Sequence, residues 1–215
     1  ARLVAKPAWR DAYLQSLAKA DPGMQQSYLA LTAIRKAGGE VQERELRPVL
    51  EYLFQAKAYD KAYFVWLDFL NDDQLRHVAS VYDGEFDLAP KNYLYDWNLY
   101  PTANAKVAIV NRPGSSTNRS LLVDFYESKG EFAHVYQYLR LAPGAYTVRF
   151  DAMSNGFQSE GGLVWRFYCI GDAGDMVQSA VLRNAGQWAN YSFNADVPAQ
   201  GCGMPLLRLE SASKA

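Results

Sequence analysis

The sequence predicts an α+β chain of two domains, with helical hairpins over residues 1–80 and an antiparallel β-sandwich of jelly-roll type over 81–215. Three observations carry this. Apolar residues recur at helical spacing as far as Ser80, the pattern changes after Val81 to short alternating segments, and Gly, Pro, Asn and Ser punctuate those segments with no helical period between them. At 215 residues and 49% hydrophobic, the chain has enough apolar surface for a sizeable core.

In the first half, Leu46, Val49, Leu50 and Leu53 follow i, i+3, i+4, i+7, as do Ala62, Val65, Trp66 and Phe69. The spacing predicts helices over 7–19, 22–37, 44–56 and 59–70, then a short helical turn over 72–79. Pro7 and Pro22 suit first turns, Asp21 is a natural N-cap, and Gly38-Gly39 is a C-terminal stop. Pro48 must lie in the first turn of its helix or bend it, because its ring removes a backbone donor.

The second half predicts ten strands, near 81–87, 93–100, 105–111, 119–127, 132–141, 145–152, 162–170, 177–182, 188–196 and 204–210. Turn signals at Pro113-Gly114, Lys129-Gly130, Pro143-Gly144, Gly161-Gly162 and Gly201 separate most of them.

Charge excludes some classes of partner. With 22 Lys+Arg against 23 Asp+Glu there is no basic excess to concentrate phosphates, so neither nucleic acid nor an anionic membrane surface is an expected partner. No apolar run reaches the roughly 20 residues a membrane helix needs, so an integral membrane protein is not expected. The chain opens at Ala1 with neither Met nor an apolar leader, as a processed or trimmed chain does. Cys169 and Cys202 form an even pair within the β-half, which suits a disulfide in an exported, periplasmic or secreted protein; two buried free thiols are the alternative.

Catalytic signatures are absent. His77 and His134 stand one in each half, with no Cys-x-x-Cys or His-Glu-x-x-His spacing. There is no Gly-x-Ser-x-Gly elbow and no phosphate-binding glycine loop, and Gly114-Ser115-Ser116-Thr117-Asn118 reads as a polar turn. Paired carboxylates for glycoside hydrolysis would be recognised by a spatial separation of about 5 to 10 Å, which no sequence spacing singles out. The chain is expected not to be an enzyme.

Tyr59-Asp60-Lys61-Ala62-Tyr63, ahead of Val65 and Trp66, resembles the second helix of tetratricopeptide-like repeats, and Leu14 and Leu17 match Leu50 and Leu53 at a repeat-like offset. In the β-half, Asp83-Gly84-Glu85-Phe86-Asp87, then Tyr136-Gln137-Tyr138-Leu139-Arg140-Leu141-Ala142-Pro143-Gly144-Ala145-Tyr146-Thr147-Val148, then Gly186-Gln187-Trp188 and Val197-Pro198 occur in this order. Together they resemble the galactose-binding-like β-sandwiches used as carbohydrate-binding modules. The whole chain is similar to bacterial exported proteins in which tetratricopeptide-like helices precede such a sandwich. The resemblance implies a structural calcium, for which Asp87 and Glu210 are the hard oxygen ligands here, or else two solvated or salt-bridged carboxylates. Glu85 and Asp87 depart from the module motif, which has a glycine and a glutamate at these places.

Face arithmetic proposes a binding surface. If 132–141 and 145–152 form a hairpin around Pro143-Gly144, Leu141 faces Tyr146, Tyr138 faces Arg149 and Tyr136 faces Asp151. His134, Tyr136, Tyr138, Arg140, Arg149 and Asp151 then point outward, joined by Arg166 and Tyr168 from the strand 162–170. Flat rings stack on the C–H face of a sugar while Arg and Asp bond its hydroxyls. The same residues would equally suit a covered interface or an ordinary outer face. Tyr93, Tyr95 and Trp97 share a face of core or domain-junction character, and Trp188 is expected in the core.

The composite expectation is a non-enzymatic exported protein whose sandwich recognises a glycan and whose helical half contacts a protein partner. The rival is a scaffold of an envelope or exopolysaccharide-secretion assembly with no sugar affinity; a glycan-active hydrolase or lyase is a more distant alternative.

Overall fold

A computed structural model describes residues 2–126, 131–155, 161–171, 177–182 and 186–212. Contacts divide the chain into two compact units, Ala1–Asn71 and Asp72–Ala215, so the division falls at the turn after the fourth helix, ahead of the change in periodicity at residue 80.

The first unit holds α1 (Arg10–Ala20), α2 (Gln25–Lys36), α3 (Glu43–Gln55) and α4 (Tyr59–Asp68). The stripe Leu46, Val49, Leu50 and Leu53 is buried, as are Leu14, Leu31, Ile34, Ala62, Val65 and Trp66, and α3 packs against the other three helices. Pro7 and Pro22 fall outside their helices. Before α2, Asp21 to Met24 form a turn, Met24 takes a left-handed φ of 54°, and the Asp21 carboxylate accepts from the Ser27 N–H at 2.9 Å. Asp21 thus satisfies an orphan amide of the helix from farther upstream than an N-cap. Gly38, at φ 78°, ends α2 in a Schellman arrangement, with Gly39 N–H donating to the Ile34 carbonyl at 2.9 Å. Pro48 lies inside α3. A buried ion pair ties α1 to α3: Arg10 Nη2 meets Glu45 Oε2 at 2.7 Å, with their side chains 1% and 2% exposed.

The second unit begins with α5 (Asp72–Arg76) and contains β1 (Asn98–Leu99), β2 (Ala105–Asn111), β3 (Arg119–Phe125), β4 (Val135–Tyr138), β5 (Gly144–Ala152), β6 (Leu163–Ile170), β7 (Val177–Gln178), β8 (Ala189–Val197) and β9 (Met204–Ser211). All pairings are antiparallel. One sheet runs β1-β4-β9-β6-β7; β2 pairs with β3 and β5 with β8. A shared core joins Leu99, Val135, Trp165, Phe167, Leu207 and Leu209 of the five-stranded sheet to Val107, Leu121, Val148, Phe193 and Ala195 of the two hairpins. The result is a sandwich whose second layer is two separate ribbons.

Four expectations are corrected. The segment 81–87 is not a strand, and 93–100 narrows to β1, because Asp83, Phe86, Asn92 and Leu94 all take positive φ, which an extended strand cannot contain. Strand 177–182 shortens to β7 with one further bridge, Leu163 to Leu182. The expected hairpin between 132–141 and 145–152 does not form: β4 has β1 on one edge and β9 on the other, so β5 pairs instead with β8. Residue 127 of the expected strand 119–127, and Lys129-Gly130, lie outside the described residues.

Cys169 and Cys202 are joined in a disulfide with a Cα–Cα distance of 5.1 Å, closing the end of β6 against the turn before β9. No helix among the described residues is long and apolar enough to cross a membrane.

Candidate functional site

A cleft of about 1020 Å³ opens between β3 and β5, floored by Trp97, Trp165, Leu207 and Leu209 from the core. Its walls are Arg119 to Tyr126 on one side and Val148 to Asn155 on the other. Among the described residues β3 pairs only with β2 and β5 only with β8, and this division of the layer leaves the opening.

Charge and rings meet where the β2–β3 turn approaches β5. Arg112 Nη2 donates to Asp151 Oδ2 at 2.9 Å, and its guanidinium lies 3.9 Å from the centroid of the Trp188 ring. Asp151 also accepts from Asn190, its cross-strand partner on β8. Arg112 and then Asn190 hold the Asp151 carboxyl below the usual carboxylate range. Alongside, Phe150 and Tyr191 stack with centroids 5.4 Å apart and planes 9° from parallel. The cleft therefore presents an apolar floor, aromatic walls and a fixed ion pair, the ingredients of a small-molecule site. Glu85, Asp124 and Asp151 all line it. Asp151, held ionised by Arg112 and Asn190, is unsuited to deliver a proton as a general acid.

The expected site residues fall on two different surfaces. Arg149 and Asp151 line the cleft. Tyr136, Tyr138, Arg166 and Tyr168 lie across the five-stranded sheet on the face opposite its core, where the register places Tyr136 beside Arg208 and Arg208 beside Arg166, with Tyr138 and Tyr168 flanking Leu206. Tyr138 therefore does not face Arg149, nor Tyr136 Asp151; their actual partners are Leu206 and Arg208 in one case, Ser192 and Asn190 in the other. That second face is already internally bonded. Tyr100, Tyr136 and Tyr138 form a chain of ring contacts at 6.2 and 5.5 Å, and Arg208 lies 5.0 Å from the Tyr168 ring. Burial pushes the Tyr136 phenol up to about 12 and raises that of Tyr168. Arg166 and Glu210 are 9% and 5% exposed, so this row is not an open surface. His134 sits half-buried against the Phe132 ring at 5.6 Å, and Arg140 is exposed.

The calcium implied by resemblance does not fit. Both oxygens of Glu210 are taken, Oε1 by Arg166 at 2.5 Å and Oε2 by Arg208, so positive charge stands where a cation would have to bind. Asp87 is grouped instead with His77 and Asp83. Asp83 closes the loop around itself, its Oδ1 accepting from Asp87 N–H at 2.9 Å and its Oδ2 from Leu88 N–H at 3.1 Å.

Tyr93, Tyr95 and Trp97 are buried as their shared face anticipates, and Trp97 packs between Phe86 and Trp165 at 5.0 and 5.8 Å. Trp188, expected in the core, is instead half-buried and lines the cleft. Arg112, Arg119 and Tyr191 also line the cleft, and no motif or period in the sequence points to them. Arg112 stands directly before the Pro113-Gly114 turn, whose polar composition masks a long side chain reaching across to β5.

No protein-family model matches the chain. No curated protein matches it. Among solved structures, the enzymatically active domain of bacteriophage CBA120 tailspike protein 4 aligns at 11% identity and TM-score 0.46 over 65% of this chain and 19% of that chain, so the chain spans about a fifth of it. The CBM22-2 xylan-binding domain of Paenibacillus barcinonensis Xyn10C aligns at 18% identity and TM-score 0.38, over 55% of this chain and 78% of that one. The tandem CBM22-1-CBM22-2 domain of the same protein aligns at 17% identity and TM-score 0.39, over 61% and 42% respectively. Superpositions this loose leave the chemistry to be read from the residues themselves.

Proposed function

We propose that this chain is a non-catalytic, exported binding protein whose β-sandwich holds a glycan in the cleft between β3 and β5. The observation that carries this is the Arg112–Asp151 ion pair laid against Trp188 beside the Phe150–Tyr191 stack, on a floor of Trp97 and Trp165. Rings offer stacking surface to a sugar's C–H face, and a charged pair with free lone pairs and N–H groups offers partners to its hydroxyls. The cleft volume lies at the upper end of the usual range for ligand sites. The disulfide supports a periplasmic or secreted location.

The first unit, in this reading, is a tetratricopeptide-like pair of hairpins that contacts a protein. Tyr13, Leu29 and Phe64 on the helices and Trp9 at the N-cap of α1 support it, since each is 44% exposed or more. The same exposure favours the rival reading, a scaffold in an envelope or exopolysaccharide-secretion assembly without sugar affinity. A glycan array probed with the full chain, followed by calorimetry on each hit, separates the two. Saturable binding that is weakened by Trp188→Ala supports the glycan reading, and no saccharide binding across the array overturns it.

A further inference from the structure

We infer that His77, Asp83 and Asp87 form a site for a divalent cation of the zinc class, separate from the cleft. Their ligand atoms, one from each residue, lie within 4.8 Å of one another. They come from an eleven-residue stretch, His-x5-Asp-x3-Asp, that the backbone folds back on itself. Asp83 N–H donates to the His77 carbonyl at 3.0 Å, Phe86 N–H to the Asp83 carbonyl at 3.0 Å, and Trp97 Nε1–H to that same carbonyl at 3.0 Å. The three side chains are thus brought together by main-chain bonds and by a core tryptophan before any ion arrives, which reduces the ordering cost of binding.

The electrostatics ask for a cation. Asp83 is 3% exposed, and its Oδ1 lies 3.4 Å from His77 Nδ1. Asp87 adds a second negative charge close to it, and Asp96 repels Asp83 in turn.

The donor set selects the ion. Calcium prefers six to eight oxygen ligands, whereas one imidazole nitrogen with two carboxylates, leaving a position for water, suits zinc and the neighbouring first-row metals. Asp87 is exposed and His77 half-buried, so the site opens to solvent on one side and holds Asp83 on the other.

The test uses the full chain, stripped with chelator and titrated calorimetrically with zinc chloride or calcium chloride. Because the chain has two histidines, ¹⁵N-correlated imidazole spectra report the ligand directly. Zinc is expected to bind once per chain, to shift the His77 resonances and leave those of His134 in place, and to raise the melting temperature. His77→Ala and Asp87→Asn, both at side chains outside the core, are each expected to weaken binding at least tenfold, while His134→Ala leaves it unchanged. Absence of zinc binding, zinc affinity retained in both variants, or calcium binding that survives His77→Ala would each overturn the site.

Discussion

Gln137 and Tyr82, 55 residues apart, exchange two hydrogen bonds: Tyr82 N–H donates to Gln137 Oε1 at 3.0 Å and Gln137 Nε2 to the Tyr82 carbonyl at 2.9 Å. The Gln137 side chain, fully buried, does for the irregular 81–97 segment what a neighbouring strand would have done, satisfying a buried amide and carbonyl at once. Replacing it with leucine keeps the volume and orphans both groups. Gln137→Leu is expected to cost about 2 to 4 kcal/mol in urea unfolding, with no loss of helical signal from the first unit.

The Arg10–Glu45 pair predicts non-additive energetics. Arg10 Nη1 and Nη2 also donate to the Leu3 and Glu40 carbonyls, at 3.1 and 2.7 Å, so the guanidinium gathers three segments. Arg10→Met leaves Glu45 buried without its cation and is expected to cost about 3 to 5 kcal/mol. Adding Glu45→Leu to that variant should recover a large part of the loss, and a double-mutant cycle measures the coupling.

Asp96 predicts how stability depends on pH. Burial first, and repulsion from Asp83 next, push its carboxyl up to about 7. An unfolded aspartate titrates near 3.9, so the folded state holds the extra proton across the interval between them. The contribution of Asp96 to stability is therefore fully present below about pH 4 and is lost as pH rises to about 7. Asp96→Asn, which preserves an acceptor for the Trp97 N–H now at 2.6 Å from Oδ1, should be more stable than the parent by about 2 to 4 kcal/mol at pH 8 and indistinguishable from it near pH 4. Thermal melts across that range check it.

The Cys169–Cys202 bridge closes a loop of 33 residues, for which chain entropy gives a stabilisation of about 3 to 4 kcal/mol. Reduction is expected to lower the melting temperature of the second unit and leave the first unchanged. Non-reducing mass spectrometry showing two free thiols would contradict the bridge.

Helices were legible because their period reports burial directly: Leu46, Val49, Leu50 and Leu53 are spaced as one stripe and are buried as one stripe. Strand alternation reports which side chains share a face but not which strand lies alongside, so it places Tyr136 and Tyr138 on one face and leaves their partners, Arg208 and Leu206, unread. The segment 93–97 shows the same division. Its alternate aromatics are buried as expected, but the backbone is bent by positive φ and held by Asn92 and Asn98 side chains, a chemistry that leaves no period. The cleft had no local signature at all, because Arg112, Asp151 and Trp188 come from three separate loops and strands and meet only when β3 and β5 are left unjoined.

Ligand is expected to enter the cleft beside Arg112 and Trp188 and not the tyrosine face of the five-stranded sheet. A calorimetric titration of the saccharide selected on the array tests it most directly, comparing the parent chain with Trp188→Ala and with Tyr136→Ala/Tyr138→Ala. Trp188→Ala is expected to bind at least tenfold more weakly and the tyrosine pair to keep parent-like affinity, in any variant that remains folded by circular dichroism. Binding lost with the tyrosines and retained by Trp188→Ala would contradict it.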